Sequence, residues 1–231
     1  MPTGVVLGLQ VVLAVAYALL AHAASAGAGD RFALGALLAL VLMLLAAPLA
    51  ARRAWAWFAL PLFAAGAWAL YRAGLAGLPL LLVPVAFVAL VAWWFGRSLR
   101  SPRGALITRI VAGLEHVPLA ELEPGLVAYT RALTAAWAWL LAFLGLVNLG
   151  LALAAEPGGL LASVGVRPPW PITREQWSWF ANLSNYGIIG GFFAGEFVLR
   201  QRRFPGRYRN FVDFLRQLAA LGPAFWRDFL R

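Results

Sequence analysis

The stretch that decides the fold is residues 32–50, which read FALGALLALVLMLLAAPLA and contain no charged side chain. About 20 apolar residues in an α-helix are enough to cross the hydrocarbon core of a bilayer. A helix also closes its backbone hydrogen bonds within itself, and a chain in lipid must do this because no water is there to satisfy them. The stretch therefore predicts a transmembrane helix.

Other parts of the chain have the same apolar character. The predicted spans are residues 4–23, 32–50, 54–71, 75–95, 130–154 and 177–199. The turns on either side of the third span are so short that neighbouring helices must form antiparallel hairpins. We therefore predict an all-α polytopic membrane protein with about six transmembrane helices. Residues 1–199 would form one transmembrane domain with a cytoplasmic loop at 97–129, and residues 200–231 a basic amphipathic cytoplasmic tail.

The composition supports a membrane protein and excludes several kinds of site. Hydrophobic residues make up 63% of the chain and charged residues 12%, whereas a soluble domain carries about 25% charged residues. The chain has no Cys, which excludes disulfides and thiolate metal ligands. Only His22 and His116 could supply imidazole ligands. We accordingly predict no metal site and no cofactor.

The arginines indicate how the predicted spans are oriented. The net charge is +10, and all 19 basic residues are Arg. Only four of them fall on one side of the six spans: Arg31, Arg72, Arg167 and Arg174. The other 15 fall on the opposite side, which the positive-inside rule places in the cytoplasm. The sequence thus predicts a bacterial inner-membrane protein with both termini inside. Because the arginines follow the loops and form no nucleic-acid motif, nucleic acid is not expected as a partner.

Two segments on the predicted cytoplasmic side show apolar residues at helical spacing next to arginines. They are residues 106–114 in the loop between the fourth and fifth spans and residues 211–218 in the tail. Basic amphipathic helices of this kind lie in the headgroup plane of a membrane. The alternative is that each packs on the cytoplasmic ends of the protein's own helices. The sequence leaves both interpretations open.

The sixth predicted span is the most polar one and carries two opposed stripes. Glycines spaced four apart let helix backbones approach closely, and the predicted packing stripe is Gly187, Gly191 and Gly195. The opposite face holds Asn182, Asn185, Glu196 and Arg200. With Asn148 of the fifth span, the first three of these form a candidate intramembrane polar site. Its alternatives are a local Glu196–Arg200 ion pair and interhelical hydrogen bonding between asparagines.

Two loops contain further candidate features. His116 and Glu121 are separated by four residues, a spacing similar to the His and carboxylate pair of glycerolipid acyltransferases, in which the His acts as general base. The alternative is a solvated cytoplasmic loop. In the predicted periplasmic loop 156–175, the run RPPWP at 167–171 enforces extended backbone. This run predicts a stiff cap over helix ends, with a ligand gate as the alternative.

The C-terminal half resembles a family of uncharacterised bacterial membrane proteins whose genes accompany those for aryl-polyene (xanthomonadin-type) pigment and fatty-acid-like synthesis. The matching stretches are LITR at 106–109, YTRALT at 129–134, WFAN at 179–182, GEF at 195–197 and RQRRFP at 200–205, continued by Tyr208, Arg209 and Phe211. The resemblance implies an accessory role in making or moving a lipid-like polyene, and the family has no established catalytic residues to carry over.

The favoured function is therefore a non-catalytic accessory protein that supports synthesis or membrane delivery of an aryl polyene or another acyl lipid. Five arginines after the last span could bind an acidic acyl carrier protein or anionic lipid: Arg200, Arg202, Arg203, Arg207 and Arg209. Membrane lipids, a carrier protein and biosynthetic enzymes are the expected partners, and the sequence permits oligomers. The alternatives are a transporter or flippase for a lipid-linked product and a membrane acyltransferase that uses His116.

Overall fold

The computed structural model describes most of the chain as helix. It describes residues 3–156, 158–173, 176, 179–180, 185–204, 212, 216–217, 220–222 and 225. In this part of the chain the helices are α1 (Thr3–Ser25), α2 (Asp30–Ala50), α3 (Ala54–Arg72), α4 (Leu78–Ser98), α5 (Leu106–Glu115), α6 (Pro124–Ala154), α7 (Leu160–Ser163) and α8 (Asn185–Arg203). A single 3-10 turn, Leu119–Glu121, precedes α6. The predicted all-α class is confirmed at this level.

Two short strands interrupt the helical order. β1 (Ala155–Glu156) follows directly on α6 and pairs in parallel with β2 (Ile172–Thr173), so that Ala155 lies opposite Ile172. The sequence did not predict this pair, because two residues are too few to show an alternating pattern. The chain between the strands forms a closed loop whose ends lie side by side.

The chain divides into two compact units, and the first contains residues 1–84 and 149–173. In it α1 packs on α2, and α2 packs on α3. Small residues make the contacts: Ala33, Ala36, Ala56 and Ala67 are all buried. The short turns at 26–29 and 51–53 force this up-and-down order. The predicted hairpin of α2 and α3 is therefore present, and the predicted hairpin of α3 and α4 stays a prediction.

The second unit contains residues 85–148 and 174–231. Its larger buried cluster joins α4 to α6 through Val88, Ala92, Leu141 and Leu144, and Ile189 of α8 packs against it. A second cluster joins α5 to the start of α6 and includes Val111, Ala112, Leu122 and Leu126. These clusters bring together α5, α8, the C-terminal half of α4 and the first two thirds of α6.

α8 lies antiparallel to α6 over a long distance. The Phe204 ring, just after α8, lies 5.4 Å from the Tyr129 ring, whereas Phe192 meets Trp137 edge to face at 4.8 Å. α6 advances by 15 residues from Tyr129 to Leu144, and α8 advances by the same number from Ile189, which packs against the Leu144 cluster, to Phe204. At 1.5 Å per residue, this distance is about 22 Å. This length is comparable to most of a hydrocarbon core.

Five of the described helices are long and apolar enough to cross a membrane: α1, α2, α3, α4 and α6. They indicate a membrane protein. The sixth predicted span, 177–199, falls partly outside the described residues, and α8 begins at Asn185 and continues to Arg203. α8 is not among the five apolar helices, because glycines and its terminal arginines dilute its apolar residues.

Candidate functional site: the basic end of the second unit

The N-terminus of α5 is held by hydroxyl groups from two other helices. The backbone N–H of Leu106 donates to Oγ of Ser98 on α4 at 3.0 Å, and that of Ile107 donates to Oγ1 of Thr134 on α6 at 3.3 Å. The first N–H groups of a helix have no partner within the helix. Side chains from α4 and α6 supply these partners, and they attach α5 to the last residue of α4 and to the third turn of α6.

A third hydroxyl contact lies one turn nearer the start of α6. Oγ1 of Thr108 on α5 and Oγ1 of Thr130 on α6 are 2.8 Å apart, and both side chains are buried. Thr130 also bonds to the carbonyl of Leu126, and Thr134 to that of Thr130. Sequence reasoning assigned no role to these threonines. Hydroxyls spaced four apart in an apolar helix are the signal that could have identified them, because such residues recur where helices touch in membranes.

An ion pair lies beside this attachment. Glu196 and Arg200 of α8 face α6 and are 7% and 8% exposed. Arg200 donates from Nε to Glu196 Oε1 at 2.7 Å and from Nη2 to Oε2 at 2.5 Å, a two-bond geometry. The predicted local pair is confirmed. The sequence did not predict the third member, Tyr129, whose hydroxyl donates to the same Oε1 at 3.1 Å.

The faces of α8 are reversed relative to the predicted packing. Gly187, Gly191 and Gly195 are exposed, and a Cβ added to any of them would meet no described atom within 4 Å. The tight glycine contact is therefore not formed within the described part of the chain. The side of α8 that carries Glu196 and Arg200 is the packed one. The reason is that packing against α6 satisfies the polar groups of the ion pair, including a hydrogen bond from Tyr129, whereas a glycine has no side chain that needs a partner.

The asparagines do not form a described polar site. Asn148 is buried, and its Nδ2 donates to the carbonyl of Leu144 in its own helix at 2.7 Å. Asn182 and the side chain of Asn185 lie outside the described residues. The predicted contact between Asn148 and these residues thus stays a prediction. Glu196, the fourth member of the predicted site, belongs to the pair with Arg200.

The arginines at this end differ in their surroundings. Arg200 is buried and neutralised by Glu196. Arg202 and Arg203 are exposed, and the Arg203 guanidinium carbon lies 5.7 Å from the centre of the Tyr129 ring. The same end carries further exposed arginines at positions 97, 100, 103 and 131. Arg207 and Arg209, the other two members of the predicted cluster, lie outside the described residues.

The amphipathic segment 106–114 packs on the protein. Leu106, Thr108, Val111 and Ala112 of α5 are buried, in contacts that include the start of α6. One residue of the tail also meets this helix, since a Cβ added to Gly113 would lie 2.5 Å from Cε2 of Phe225. Most of the predicted tail helix, 211–218, lies outside the described residues. At α5 and Phe225 the structure thus favours packing on the protein.

A cleft between α5, α6 and α8 is too small for a substrate. Tyr129, Thr130 and Arg200 are among its lining residues, and its free volume is about 10 Å³. A single water molecule needs about 10–15 Å³. Within the described residues, no three His, Asp or Glu side chains come together as a metal site would require. The cleft offers neither a substrate pocket nor a path for transport in this conformation.

The predicted acid–base pair is not assembled. His116 ends α5 in the left-handed region with φ of 55°, and its side chain is exposed. Glu121 is also exposed, in the 3-10 turn, and no described hydrogen bond or ion pair joins the two. A general base needs a partner within hydrogen-bond reach that orients it. The structure therefore gives the acyltransferase interpretation no support.

Comparison of the chain with protein-family models, with curated proteins and with solved structures gave no match. The class of the protein consequently follows from the chain itself: five helices apolar enough to cross a membrane, and a basic end at which α4, α5, α6 and α8 meet.

Proposed function

We propose that this protein is a non-catalytic accessory protein of the bacterial inner membrane, and that its basic end docks an acidic acyl carrier protein. The observation that carries the proposal is the contrast among three arginines on one helix. Arg200 has its charge neutralised inside the protein, whereas Arg202 and Arg203 are exposed. Acyl carrier proteins are acidic, and an exposed basic surface attracts such partners electrostatically.

The exposed arginines of this end belong to one structural unit. Ser98 contacts the start of α5, Thr134 contacts α5 from α6, and Tyr129 contacts α8. These contacts hold five arginines in the same end: Arg97 in the last turn of α4, Arg100 and Arg103 just after it, and Arg202 and Arg203. Several positive charges on one surface act on an approaching partner together. A partner with an acidic helix would be oriented by them as well as attracted.

The proposed orientation places this end in the cytoplasm, where a carrier protein would be found. It requires α8 to be the sixth crossing. Two features support that crossing although α8 has modest apolar content. α8 runs beside α6 over about 22 Å, and its charged residues Glu196 and Arg200 face α6. A helix whose polar groups are paired against a neighbour can cross the bilayer with fewer apolar residues.

The resemblance of the C-terminal half to proteins associated with aryl-polyene synthesis indicates the cargo. We propose that the docked carrier protein bears a growing polyene or another acyl chain, which a membrane-anchored partner keeps close to the lipid. In this proposal the protein positions the carrier protein at the membrane and catalyses no reaction. Membrane lipids and biosynthetic enzymes complete the expected set of partners.

Docking can be measured with the full chain in phosphatidylcholine nanodiscs, which carry no net charge. An acidic acyl carrier protein should be captured, and capture should weaken as salt rises from 50 to 500 mM because the Debye length shortens. Arg202→Gln with Arg203→Gln should weaken capture at least fivefold. Arg31→Gln with Arg72→Gln removes the same charge from the first unit and should leave capture unchanged.

Equal weakening by the two double variants would mean that net charge alone acts, and the docking surface would be rejected. Absence of capture at 50 mM salt by a correctly folded sample would reject carrier-protein docking altogether. Size-exclusion profiles and melting temperatures of all variants establish correct folding.

A further inference from the structure

The loop between β1 and β2 exposes large apolar side chains. Trp170 is 80% exposed, Val164 71% and Val166 50%. Between residues 158 and 171 the only charged side chain is Arg167, and there is no carboxylate. Loops in water are usually rich in polar residues, since nothing offsets the cost of hydrating a continuous apolar surface. This loop combines an apolar surface with one positive charge.

The depth of the loop is set by its attachment. β1 follows α6 without a break, and β2 closes the loop by pairing with β1. At its root, Gly159 lies so close to the backbone of Ala155 that an added Cβ would clash with the Ala155 carbonyl. The loop therefore begins and ends beside the end of a candidate span. That is the depth at which Trp side chains favour the membrane interface.

The backbone of the loop satisfies part of its own hydrogen bonding. Five of its N–H groups have described partners: Gly159 bonds to Ala155, Ser163 to Gly159, Val164 and Val166 to Leu161, and Gly165 to Ala162. The Ser163 hydroxyl donates to the Leu160 carbonyl at 2.7 Å. Three further positions are proline and have no N–H at all. An unsatisfied backbone group in lipid costs several kcal/mol, so the remaining N–H groups restrict the loop to the lipid surface, where headgroups and water can accept from them.

We infer that residues 158–171 form a finger that inserts into the lipid surface beside the end of α6. Val164, Val166 and Trp170 enter the boundary between headgroups and acyl chains, and Arg167 contacts lipid phosphate. The partner is lipid and not a second protein, because the finger is tethered at membrane depth and its one charge has the sign that phosphate requires. This inference is independent of the carrier-protein docking proposed above.

The chain has no native Cys, so spin labels can be placed one at a time. Cys is introduced at Val164, Val166 or Trp170 in the full chain, which is labelled and reconstituted into vesicles of phosphatidylethanolamine and phosphatidylglycerol. Collisions of the label with O2, which concentrates in lipid, are compared with collisions with a water-soluble nickel chelate. Ala120→Cys, in the exposed 3-10 turn, is the control for a label in water.

The three finger labels should collide more often with O2 than with the nickel chelate, whereas the label at position 120 should show the reverse. If the finger labels behave like the control, the loop lies in water and the inference is wrong. Low collision rates with both reagents would mean that protein covers the loop, which also contradicts a lipid partner.

Arg167 can be tested on the same sample. Arg167→Glu should increase nickel collisions of a label at position 166, because a carboxylate is repelled by phosphate, whereas Arg167→Lys should not. If both variants leave the label unchanged, the phosphate contact is rejected. All these positions are exposed, so the substitutions should leave the melting temperature unaltered.

Discussion

Oε1 of Glu196 on α8 accepts a 3.1 Å hydrogen bond from the hydroxyl of Tyr129 on α6 and a 2.7 Å hydrogen bond from Nε of Arg200. One carboxylate oxygen thus joins two helices and neutralises a buried guanidinium. The Tyr129 ring also meets Phe204 edge to face and lies under Arg203. Tyr129 therefore connects the buried ion pair to the exposed basic surface, and it gives the basic end a defined geometry.

Tyr129→Phe should lower the free energy of unfolding by about 1 kcal/mol. The substitution keeps the ring contacts and removes a single hydrogen bond, and such bonds have about this net value. Unfolding of the detergent-solubilised protein by heat or by added SDS provides the measurement. Tyr71→Phe is the matched control, since the described contact of Tyr71 is between its ring and that of Trp68. An equal loss in both variants would show that the hydroxyl of Tyr129 contributes nothing specific.

Glu196→Gln should lower the stability of the protein much more than removal of both charges does. The single variant leaves Arg200 buried with no countercharge, which costs about 3 kcal/mol or more. Adding Arg200→Gln removes the unpaired charge and leaves two amides that can bond to each other. The double variant should therefore recover part of the lost stability, as measured by its melting temperature and its monodispersity in detergent. If the double variant is the less stable one, the pair is not coupled as described.

Loss of the hydroxyls that hold α5 should loosen that helix alone. Thr134→Val and Ser98→Ala each remove an acceptor for a first-turn N–H of α5, an interaction worth about 1 kcal/mol. Amide hydrogen exchange at residues 106–109 should then accelerate by roughly fivefold for each substitution. Ser25→Ala is the control, since its hydroxyl bonds only to Ala21 within α1. Unchanged exchange in α5 would indicate that its apolar contacts alone hold it.

Gly191→Leu should leave the stability of the single chain unchanged or slightly raised. No described atom is near enough to clash, and replacing a helical glycine gains up to about 1 kcal/mol of helix propensity. Gly113→Leu is the contrasting variant, because its side chain would displace the ring of Phe225 from α5. It should raise exchange in α5 and the tail. A large drop in the melting temperature of Gly191→Leu would reveal a neighbour outside the described chain, such as a second copy.

Alkaline phosphatase fusions test the proposed orientation, because the enzyme is active only outside the cytoplasm. A fusion after Arg231 should be inactive, and an insertion within 160–166 should be active. The 15 to 4 distribution of arginines supplies the physical reason. Activity after Arg231 together with inactivity within 160–166 would invert the orientation. Activity at both sites would show that α8 does not cross the membrane.

Helix formation in the first five predicted spans follows from local sequence. Residues 32–50 have no charge and are long enough to cross a bilayer, and a chain in lipid must close its own hydrogen bonds. Neither condition depends on the rest of the molecule. The ion pair of Glu196 with Arg200 is likewise local, since residues one turn apart on a helix are neighbours wherever the helix packs. For these features the amino-acid sequence was sufficient.

Which face of α8 packs was decided only by the tertiary structure. The sequence places glycines on one side and Glu196 with Arg200 on the other, and either side could have met a neighbour. The choice depends on Tyr129 and Trp137, which lie more than 50 residues away in the chain and supply a hydroxyl and a ring at the right height on α6. The role of Thr134 at the start of α5 is non-local in the same way. Periodicity within a helix defines its faces, but the partner that each face meets is set by long-range packing.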